Sequence, residues 1–543
     1  MSAYRRRFDL GALALALLLA WLVLYPILVV GAEAANATAW RAFLSRPGEW
    51  AALWASIWIS LASVALAAAI GIPLAFLFEW FDFPGRKTLG SLIALPVVLP
   101  PLVGVIAFLF LYGESGFVAR AVQALLGLER APWRLQGPAA ILLVHAYSMY
   151  VYFYLFTRAG LAKLDVSMLE AAQALGADRR ATLWRVVVPL LRPSLVGAAI
   201  LTFMTALGSF SAPYIFGGGF RVMTTQIVAT KLNGDLPLAM VETLALALVA
   251  ILGLLILRRT EGDDILVALG KGIAPRPRPI RRPGVRALTT AAGWGFAVLL
   301  LLPHLTLLLV SLVPYGAWTT EILPPVLNFD NYRRLLTEPE RLRPLFNSFW
   351  MAAVSTFAAV VLGLGAGWFI VRRRVRLRRV LEALLTLPWA LPGTVFAIAL
   401  AITFSRSAPL ELRFVLVGTA VLLPLAYLVR ALPLTGRALL ASYRQLDPSL
   451  EEAAASLGAG RWRTLARVTL PQLRPGLAAG ASLAFVAALG DIVASIVLYT
   501  FETRPISIEI LSSLRLDETG VAAAFGVVLM VVSAVVLGLG ARR

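Results

Sequence analysis

Apolar residues recur along the chain in runs of about 20, and each run is separated from the next by a shorter polar stretch. A helix of about 20 residues crosses the apolar core of a bilayer, which is about 30 Å thick. Twelve such runs predict an all-α polytopic membrane protein with about 12 transmembrane helices. The predicted spans are residues 9–31, 53–78, 91–112, 138–157, 194–216, 238–257, 288–313, 348–371, 381–404, 413–432, 476–499 and 520–541.

Two polar, basic stretches interrupt this pattern, at residues 165–193 and 447–475, and they are near copies of each other. An offset of 282 residues aligns them without a gap, and an offset of 292 aligns Ser56 with Ser348 and Pro96 with Pro388 upstream. The chain is therefore an internal duplication. Because six spans separate equivalent points, the two tandem six-helix repeats have the same orientation in the membrane.

The duplication gives each half a leading helix and a core repeat, and a linker rich in Arg and Pro joins the halves. Such a composition favours an extended segment over a folded domain. The predicted parts are a leading helix with its outer loop at 1–52, a first core repeat at 53–258, a cytoplasmic linker at 259–287, a second leading helix with its outer loop at 288–346 and a second core repeat at 347–541.

The net charge of +20 raises nucleic acid as a partner, so the placement of the basic residues has to be considered. With the N-terminus inside, the inner loops contain 34 of the 49 Lys and Arg residues and the outer loops contain 15. Basic residues accumulate on the cytoplasmic side of multi-span proteins. Orientation in a lipid bilayer, with both termini cytoplasmic, therefore explains the charge, and no nucleic-acid partner is predicted.

The composition also limits the chemistry that the chain can perform. It has no Cys, which excludes disulfides and thiolate metal sites. Its two histidines, His145 and His304, lie in different halves without nearby ligand spacing, so packed histidines are favoured and no metal site is predicted. No nucleophile–base constellation and no Gly-x-x-x-x-Gly-Lys loop is visible, so no catalytic residue is assigned and any ATPase must be another chain.

Each duplicated stretch begins with a predicted short helix and a turn. Asp447-Pro448 is a strong helix start, because Asp can cap free amides and Pro at the first helical position needs no hydrogen bond. Asp165 occupies the matching position in the first copy. The helix is predicted to end at Gly176 or Gly458, since Gly can take the left-handed conformation that caps a helix and reverses the chain.

A second short amphipathic helix is predicted after each turn, at 179–188 and 461–470, before Pro189 and Pro471 lead into the next span. One interpretation of each stretch is an amphipathic loop on the membrane surface, anchored by arginine. Two aligned copies with the same capping, turn and proline spacing instead favour a pair of projecting helix-turn-helix elements and a partner with two-fold symmetry.

Prolines interrupt the third span of each half. Proline frees backbone carbonyls, which in a membrane must be satisfied by neighbouring helices or by a polar cavity. The breaks therefore indicate either a translocation pathway or kinks for packing. For Asp491 the alternative to a pathway role is a hydrogen bond at a helix end or between spans. The candidate pathway residues are Pro96, Pro101, Ser209, Pro388, Pro392 and Asp491.

In its duplicated stretches the chain resembles the membrane subunit of a type I binding-protein-dependent ABC importer. The cytoplasmic signature of that family is Glu-Ala-Ala, three residues, Gly, nine residues, then Ile-x-Leu-Pro. Both copies have Val in place of Ile, and the first also has Val in place of Leu. The matching segments are Glu170-Ala171-Ala172, Gly176 and Val186-Val187-Val188-Pro189, then Glu452-Ala453-Ala454, Gly458 and Val468-Thr469-Leu470-Pro471.

The resemblance implies that the stretches at 160–192 and 442–474 are coupling loops seated in two copies of a separate ATPase subunit. It also implies a periplasmic substrate-binding protein, the bacterial cytoplasmic (inner) membrane as location, no cofactor on this chain and ATP-Mg on the ATPases. With the capping residues Asp165 and Asp447, the residues predicted for ATPase coupling are Glu170, Ala171, Ala172, Gly176, Pro189, Glu452, Ala453, Ala454, Gly458 and Pro471.

The cargo is expected to follow the fused branch of this family, which includes ferric-iron, thiamine and aminophosphonate permeases. The stretches Ser209–Tyr214 and Gly217–Arg221 are more similar to the ferric-iron members, so ferric iron is the expected cargo. Thiamine, an aminophosphonate or a polyamine is the alternative. An ion-coupled secondary transporter is a more distant one, because it would need several carboxylates or histidines within the spans and the chain has very few there.

Overall fold

The structure, a computed structural model, describes residues 9–259, 276–318, 321–405 and 415–541. In these ranges eleven helices are long and apolar enough to cross a membrane, and a bent helix pair makes a twelfth. The predicted number of spans is thus confirmed. Numbered in chain order as spans 1 to 12, they are Leu10–Glu33, Pro47–Trp80, Pro101–Leu126, Gly137–Leu161, Arg179–Leu207, Leu236–Arg259, Pro283–Ser311, Pro339–Arg372, the pair Arg378–Ala390 with Gly393–Thr403, Leu422–Gln445, Trp462–Leu489 and Thr519–Ala541.

Shorter elements connect the spans. Two of them are single 3₁₀ turns, Leu95–Val98 and Leu387–Ala390, and two are strands of two residues, Phe81–Asp82 and Arg278–Pro279. The shorter α-helices are Ala37–Ser45, Arg86–Leu92, Val166–Ala174, Ser211–Phe216, Met223–Leu232, Asp330–Thr337, Pro448–Ser456, Val493–Leu498 and Ile506–Arg515.

The proline-containing third spans are broken, as predicted, and their bounds therefore differ from the predicted ones. Residues 91–112 do not form one helix, because a 3₁₀ turn carrying Pro96 precedes a new helix that starts at Pro101. In the second half, residues 381–404 bend by 108° between Ala390 and Gly393. Proline has no N–H to continue a helical ladder, so the chain turns where prolines are close together.

Several other predicted bounds are wrong at their ends. Spans 5 and 11 end at Leu207 and Leu489, short of the predicted residues 216 and 499, because each helix stops at a glycine and a separate short helix follows. Span 10 is Leu422–Gln445 instead of 413–432. Residues 413 and 414 lie outside the described residues. Apolar composition marks which residues are in the membrane, but it does not mark where the helix ends.

Matched serines show that the two halves fold alike. Ser56 in span 2 is buried, and its Oγ accepts a hydrogen bond from the N–H of Met223 at 2.7 Å. Ser348 in span 8 does the same for the N–H of Ile506 at 2.8 Å. Each N–H opens a short helix within the protein interior, and an unpaired N–H there would be costly. The polar serine in each apolar span is thus explained.

The linker between the halves is attached to the first half. Residues 260–275 of the predicted linker lie outside the described residues. Beyond them, Arg278–Pro279 pairs in parallel with Phe81–Asp82, and the Ile280 N–H donates to the Asp82 carbonyl at 3.3 Å. Span 7 begins at Pro283 and not at the predicted residue 288. The limits of the five sequence-defined parts stay a prediction.

The halves cross at the ends of spans 5 and 11. Gly208, which follows span 5, lies against Pro392 of the second half. Gly490, which follows span 11, lies against Pro100 of the first half. The long helix of each half therefore ends on the broken third span of the other half, and we call these two contacts the crossing.

The crossing yields a prediction, because its two glycines differ in how much room they have. A Cβ added at Gly490 would lie 2.7 Å from the Pro100 Cβ, whereas one added at Gly208 would meet Met204 O at 3.3 Å and Pro392 at 3.6 Å or more. Overpacking costs about 1–3 kcal/mol, and each kcal/mol shifts Tm by about 2–4 °C in domains of 150–250 residues. We expect Gly490→Ala to lower Tm by several degrees more than Gly208→Ala, measured by heating the detergent-solubilised protein before size-exclusion chromatography. Equal Tm values for the two variants would contradict the tight contact.

Candidate functional site

The two duplicated stretches form matching projections, which we call the first elbow (residues 165–189) and the second elbow (residues 447–471). Each begins with a capped helix. The Asp165 carboxylate accepts a hydrogen bond from the Ser167 N–H at 3.0 Å, and the Asp447 carboxylate accepts one from the Ser449 N–H at 2.9 Å. The Ser449 N–H lowers the pKa of the Asp447 carboxyl, so the cap is charged at neutral pH. The predicted capping is confirmed.

A left-handed glycine ends the short helix in each elbow. Gly176 has φ +83° and Gly458 has φ +78°. The next N–H reaches back over the turn, from Ala177 to the Ala172 carbonyl and from Ala459 to the Ala454 carbonyl, both at 3.0 Å. This hydrogen bond satisfies a carbonyl that the helix leaves free. The third residue of each Glu-Ala-Ala triplet, Ala172 or Ala454, is thus part of the turn, while Glu170 and Glu452 are exposed.

The prediction of a separate second short helix in each elbow is wrong. Residues from Arg179 continue unbroken into span 5, and residues from Arg461 continue into span 11. A π turn precedes each proline, at Leu183–Val187 and Leu465–Thr469.

The π turns explain why the prolines do not break these helices. The Val188 N–H bonds to the Leu183 carbonyl, five residues back, and Leu470 bonds to Leu465 in the same way. Proline cannot donate, and the wider turn shifts the ladder by one residue immediately before it. Pro189 and Pro471 are therefore accommodated within continuous helices that run from the elbows into the membrane.

Two exposed leucines mark the tips of the elbows, and the sequence-based prediction missed them. Leu175 is 88% exposed and Leu457 is 89% exposed, each directly before the turn glycine. Isolated exposed leucines are common, but an equivalent pair at the tips of two repeated projections indicates a surface that a partner covers. The sequence does contain a signal for this pair, because the 282-residue offset aligns Leu175 with Leu457 directly before the two turn glycines.

The candidate pathway residues lie in two groups. Pro101 begins span 3, and Pro392 precedes the helix Gly393–Thr403. Pro392 contacts Gly208, the neighbour of Ser209, and Pro100 contacts Gly490, the neighbour of Asp491. The crossing thus gathers four of the predicted positions. Pro96 and Pro388 lie further back, in the two 3₁₀ turns.

In the first half the crossing is held by a histidine and two serines. His145 of span 4 is buried between two serines, with its Nδ1 2.8 Å from Ser63 Oγ and its Nε2 2.9 Å from Ser209 Oγ. The imidazole can donate through only one nitrogen when neutral, so one serine donates to it and the other accepts. This chain of hydrogen bonds joins spans 2 and 4 to the segment after span 5.

In the second half the crossing holds an ion pair. Asp491 is 6% exposed, its Oδ1 accepts from the Ala494 N–H at 2.7 Å, and its Oδ2 pairs with Arg430 of span 10. The Arg430 guanidinium also lies against Gly393 at the proline break. Both alternatives proposed for Asp491, the hydrogen bond at a helix end and the bond between spans, are found. Arg430 was missed, although it is a charge within a predicted apolar span.

Two reciprocal contacts join the halves at the end of the spans remote from the elbows. Lys231, at the end of the helix Met223–Leu232, donates to the Val497 carbonyl at 2.5 Å. Arg515, at the end of the matching helix Ile506–Arg515, bonds to the Tyr214 hydroxyl. Within the described ranges, no three His, Asp or Glu side chains are grouped closely enough to hold a metal ion.

Comparison with known proteins shows related membrane components over most of the chain. A family model described as a binding-protein-dependent transport system inner membrane component matches twice, at residues 67–260 and 359–542. The chain is 31% identical to the probable ABC transporter permease protein y4fN of Sinorhizobium fredii, over 91% of this chain and 87% of that protein.

Other relatives have named cargo. The ferric transport system permease protein FbpB of Actinobacillus pleuropneumoniae is 28% identical over 81% of this chain, which spans 63% of that protein, just under two thirds. The thiamine transport system permease protein ThiP of Escherichia coli is 28% identical over 82% of this chain and 81% of its own length. Among solved structures, a bacterial ABC transporter involved in alginate import matches 48% of this chain and 93% of its own with 19% identity and a TM-score of 0.36.

The ion pair at the crossing can be tested by replacing each partner with its equivalent in the first half. The equivalents of Asp491 and Arg430 are Ser209 and Ser148. Asp491→Ser keeps a hydroxyl that can accept from the Ala494 N–H but leaves Arg430 without its counter-charge. Breaking a buried pair costs about 3–5 kcal/mol. Arg430 is 36% exposed, so we expect a smaller loss, about 1–3 kcal/mol.

The double variant Arg430→Ser with Asp491→Ser should be more stable than Asp491→Ser alone, because no unpaired charge remains. The measurement is a double-mutant cycle on Tm of the purified protein. Stability losses that simply add, within about 0.5 kcal/mol, would show that the two side chains do not interact.

Proposed function

Because the chain belongs to the family of binding-protein-dependent transport system inner membrane components, with both permease repeats fused in one chain, we propose that it carries ferric iron through the membrane as the permease of an ATP-driven importer. The observation that carries the proposal of an ATP-driven importer is the pair of matching elbows, each with the same cap, the same left-handed glycine and the same exposed leucine. A protein that moved cargo without an external motor would not need two such projections.

We propose that the elbows are cytoplasmic and that each one docks in its own ATPase subunit. The excess of Lys and Arg in the loops on the elbow side supports this orientation. Leu175 and Leu457 would fill apolar sites on the ATPases, and the exposed carboxylates of Glu170 and Glu452 would meet basic or amide groups beside them. Two equivalent elbows require two ATPase copies per permease chain, with ATP-Mg bound by those copies.

The continuous helices provide the mechanical connection. Span 5 begins inside the first elbow and has 29 residues, which corresponds to about 43 Å at 1.5 Å per residue. It ends beside Gly208, on the proline break of the other half. Span 11 connects the second elbow to Gly490 in the same way. When ATP draws the two motors together, each helix would move the contact that it makes at the crossing.

The energetics require such a rigid connection. An external event shifts a two-state protein only through a difference in affinity for the two states. Moving the balance from 1:99 to 99:1 takes about 5.5 kcal/mol. A capped elbow continuous with a transmembrane helix can transmit that difference, whereas a mobile loop would lose it to conformational freedom.

Ferric iron is the proposed cargo for two reasons. The stretches Ser209–Tyr214 and Gly217–Arg221 are similar to ferric-iron permeases, and relatives named as ferric transport permeases match about four fifths of the chain. A periplasmic binding protein at the outer face would select the iron, so the chain itself needs no metal cluster. Thiamine is the second candidate, because the thiamine permease matches over more than four fifths of both chains.

The function is tested by reconstituting the chain with its ATPase and binding protein in proteoliposomes and measuring ferric-iron uptake and ATP hydrolysis together. Gly458→Ala adds one methyl group where φ is +78°, a conformation that costs about 1–2 kcal/mol for a residue with a Cβ. Gly460→Ala is the matched control, because neither glycine has an atom within 4 Å of the new methyl and Gly460 has no positive φ.

We expect Gly458→Ala to retain ATP hydrolysis and to lose uptake several-fold, while Gly460→Ala resembles the unaltered chain. Equal uptake in the two variants would mean that the shape of the second elbow does not matter. Uptake of thiamine but not ferric iron by the unaltered complex would keep the importer and replace its proposed cargo.

The orientation gives a separate prediction that uses the absence of natural Cys. Leu175→Cys and Leu457→Cys place thiols at the elbow tips, and Leu125→Cys places one at the opposite end of the spans, where Leu125 is 83% exposed. A membrane-impermeant maleimide added to spheroplasts should label Leu125→Cys only. The elbow variants should react after permeabilisation and should be protected by bound ATPase. Labelling of either elbow variant from outside would overturn the proposed topology.

A further inference from the structure

The contact that holds each elbow against its own half can be compared position by position, because fixed offsets align the repeats there, 292 residues at the ends of spans 2 and 8 and 282 residues in the elbows. A buried apolar cluster lies beneath the first elbow. Trp80, at the end of span 2, and Leu169, in the elbow helix, both pack against it, and Val187 of the π turn belongs to it. We call Trp80, Leu169 and Val187 the first-elbow brace. The buried residues of the cluster are Leu161, Leu164, Val187 and Leu191.

The second elbow also lies on a buried apolar cluster, but its brace is different. Three residues of the first cluster, Leu161, Leu164 and Leu191, have buried equivalents in the second half, namely Tyr443, Leu446 and Leu473. The three brace positions all change from apolar to polar. The equivalents of Trp80, Leu169 and Val187 are Arg372, Glu451 and Thr469, and we call them the second-elbow brace.

The changed residues contact one another. Thr469 Oγ1 donates to Glu451 Oε1 at 2.8 Å, and the Glu451 Oε2 lies 3.5 Å from the Arg372 Nε. Arg372 also donates through Nη2 to the Leu446 carbonyl at 3.3 Å, at the end of span 10. The Arg372 and Glu451 side chains are only 10% and 20% exposed. One carboxylate thus connects the elbow helix, the π turn and the end of span 8.

We propose that the second-elbow brace is an ionic positioning device that replaces the apolar packing of the first-elbow brace and makes the second elbow rigid enough to transmit force. The proposal rests on the coupling function proposed above, and it assigns this role to three residues that the family signature does not specify: Arg372 and Glu451 lie outside it, and Thr469 occupies its variable position. Glu451 is distinct from its neighbour Glu452, which belongs to the Glu-Ala-Ala triplet and is exposed, whereas Glu451 faces the membrane helices.

The three changes depend on one another for a physical reason. A carboxylate at the position of Leu169, against Trp80 and Val187, would lose water without gaining a partner, and buried charges persist only when they are paired and hydrogen-bonded. Arg372 alone would likewise face an apolar cluster. A single substitution in the second-elbow brace should therefore loosen the elbow, and replacement of all three residues by their first-half equivalents should tighten it again.

The test compares Glu451→Leu with the triple variant Arg372→Trp, Glu451→Leu and Thr469→Val, each in the full complex with ATPase and binding protein in nanodiscs or proteoliposomes. We expect Glu451→Leu to retain ATP hydrolysis and to lose uptake at least fivefold. The triple variant should recover uptake to within twofold of the unaltered chain. A purely structural loss would lower the amount of folded protein and would not change the ratio of uptake to hydrolysis.

A second readout does not depend on transport. Spin labels on Cys introduced at Arg379 and Ser456, both exposed, report the distance between span 9 and the second elbow. The distribution of distances should widen in Glu451→Leu and narrow again in the triple variant. If this pattern of distances is found in a complex that moves no cargo, the proposed role of the brace is supported and the proposed transport function is rejected. If the complex moves cargo but the distances do not change in this way, only the proposed role of the brace is rejected.

An unchanged ratio of uptake to hydrolysis in Glu451→Leu would overturn the proposal. So would a folded triple variant with no recovery. If the triple variant does not insert into the membrane, the proposal is tested by placing the second-elbow residues in the first elbow. Leu169→Glu alone should uncouple the first elbow, and Leu169→Glu combined with Trp80→Arg and Val187→Thr should restore it. Failure of that combination to exceed Leu169→Glu alone would equally reject an ionic brace.

Discussion

The crossing is the contact on which the rest of the structure depends. A bilayer offers no hydrophobic driving force between helices, so transmembrane helices associate by close packing and by hydrogen bonds. Here a glycine ends each long helix against a proline of the opposite half, at Gly208 with Pro392 and at Gly490 with Pro100. The small residue permits the approach, and the proline supplies a surface without an N–H that would need a partner.

Breaks in the membrane create polar groups, and the structure satisfies them from within. The Ser56 and Ser348 hydroxyls accept the N–H groups that open two short helices. Asp491 accepts the N–H of Ala494 and pairs with Arg430. In hydrocarbon each unsatisfied group would cost several kcal/mol. The polar residues inside the spans are therefore largely explained by the irregular backbone that the crossing requires, and a pathway role has to be argued in addition to this structural one.

The sequence predicted features that have a local physical cause. The caps at Asp165 and Asp447 and the left-handed turn at Gly176 and Gly458 follow from the chemistry of single residues, and they are found as predicted. The length and number of the apolar runs predicted the count of spans, and the duplication predicted two tandem repeats. Even the interruption of the third spans could be predicted, because prolines cluster there.

What the sequence did not predict depends on contacts between distant segments. The sequence predicts a helix boundary at Pro189, but the five-residue π turn Leu183–Val187 accommodates the missing N–H, and no composition rule marks such a turn. Arg430 and Asp491 are far apart in the chain, so their pairing becomes visible only when spans 10 and 11 are placed. The exposure of Leu175 and Leu457 is not predicted either, because the residue type alone does not distinguish an exposed leucine from a buried one.

Fusion of the two repeats explains how their equivalent positions could diverge. In a symmetric dimer of one short chain, any substitution occurs twice, so an Asp at the crossing would always be accompanied by a second Asp. A fused chain can change one half alone. Asp491 stands where the first half has Ser209, and the elbow brace is ionic in one half and apolar in the other.

The two halves also differ in charge at the end of the spans remote from the elbows. Glu49 of span 2 accepts from Gln226, whereas the equivalent Arg341 of span 8 lies 3.7 Å from Glu509. Gln226 and Glu509 are each the fourth residue of the matching helices Met223–Leu232 and Ile506–Arg515. The contact between the two elements is kept in both halves while its charges differ. The two halves of this chain thus share the join between the two elements and differ in the chemistry that makes it. Such freedom is expected if the two halves must move as matched levers but need not be identical surfaces.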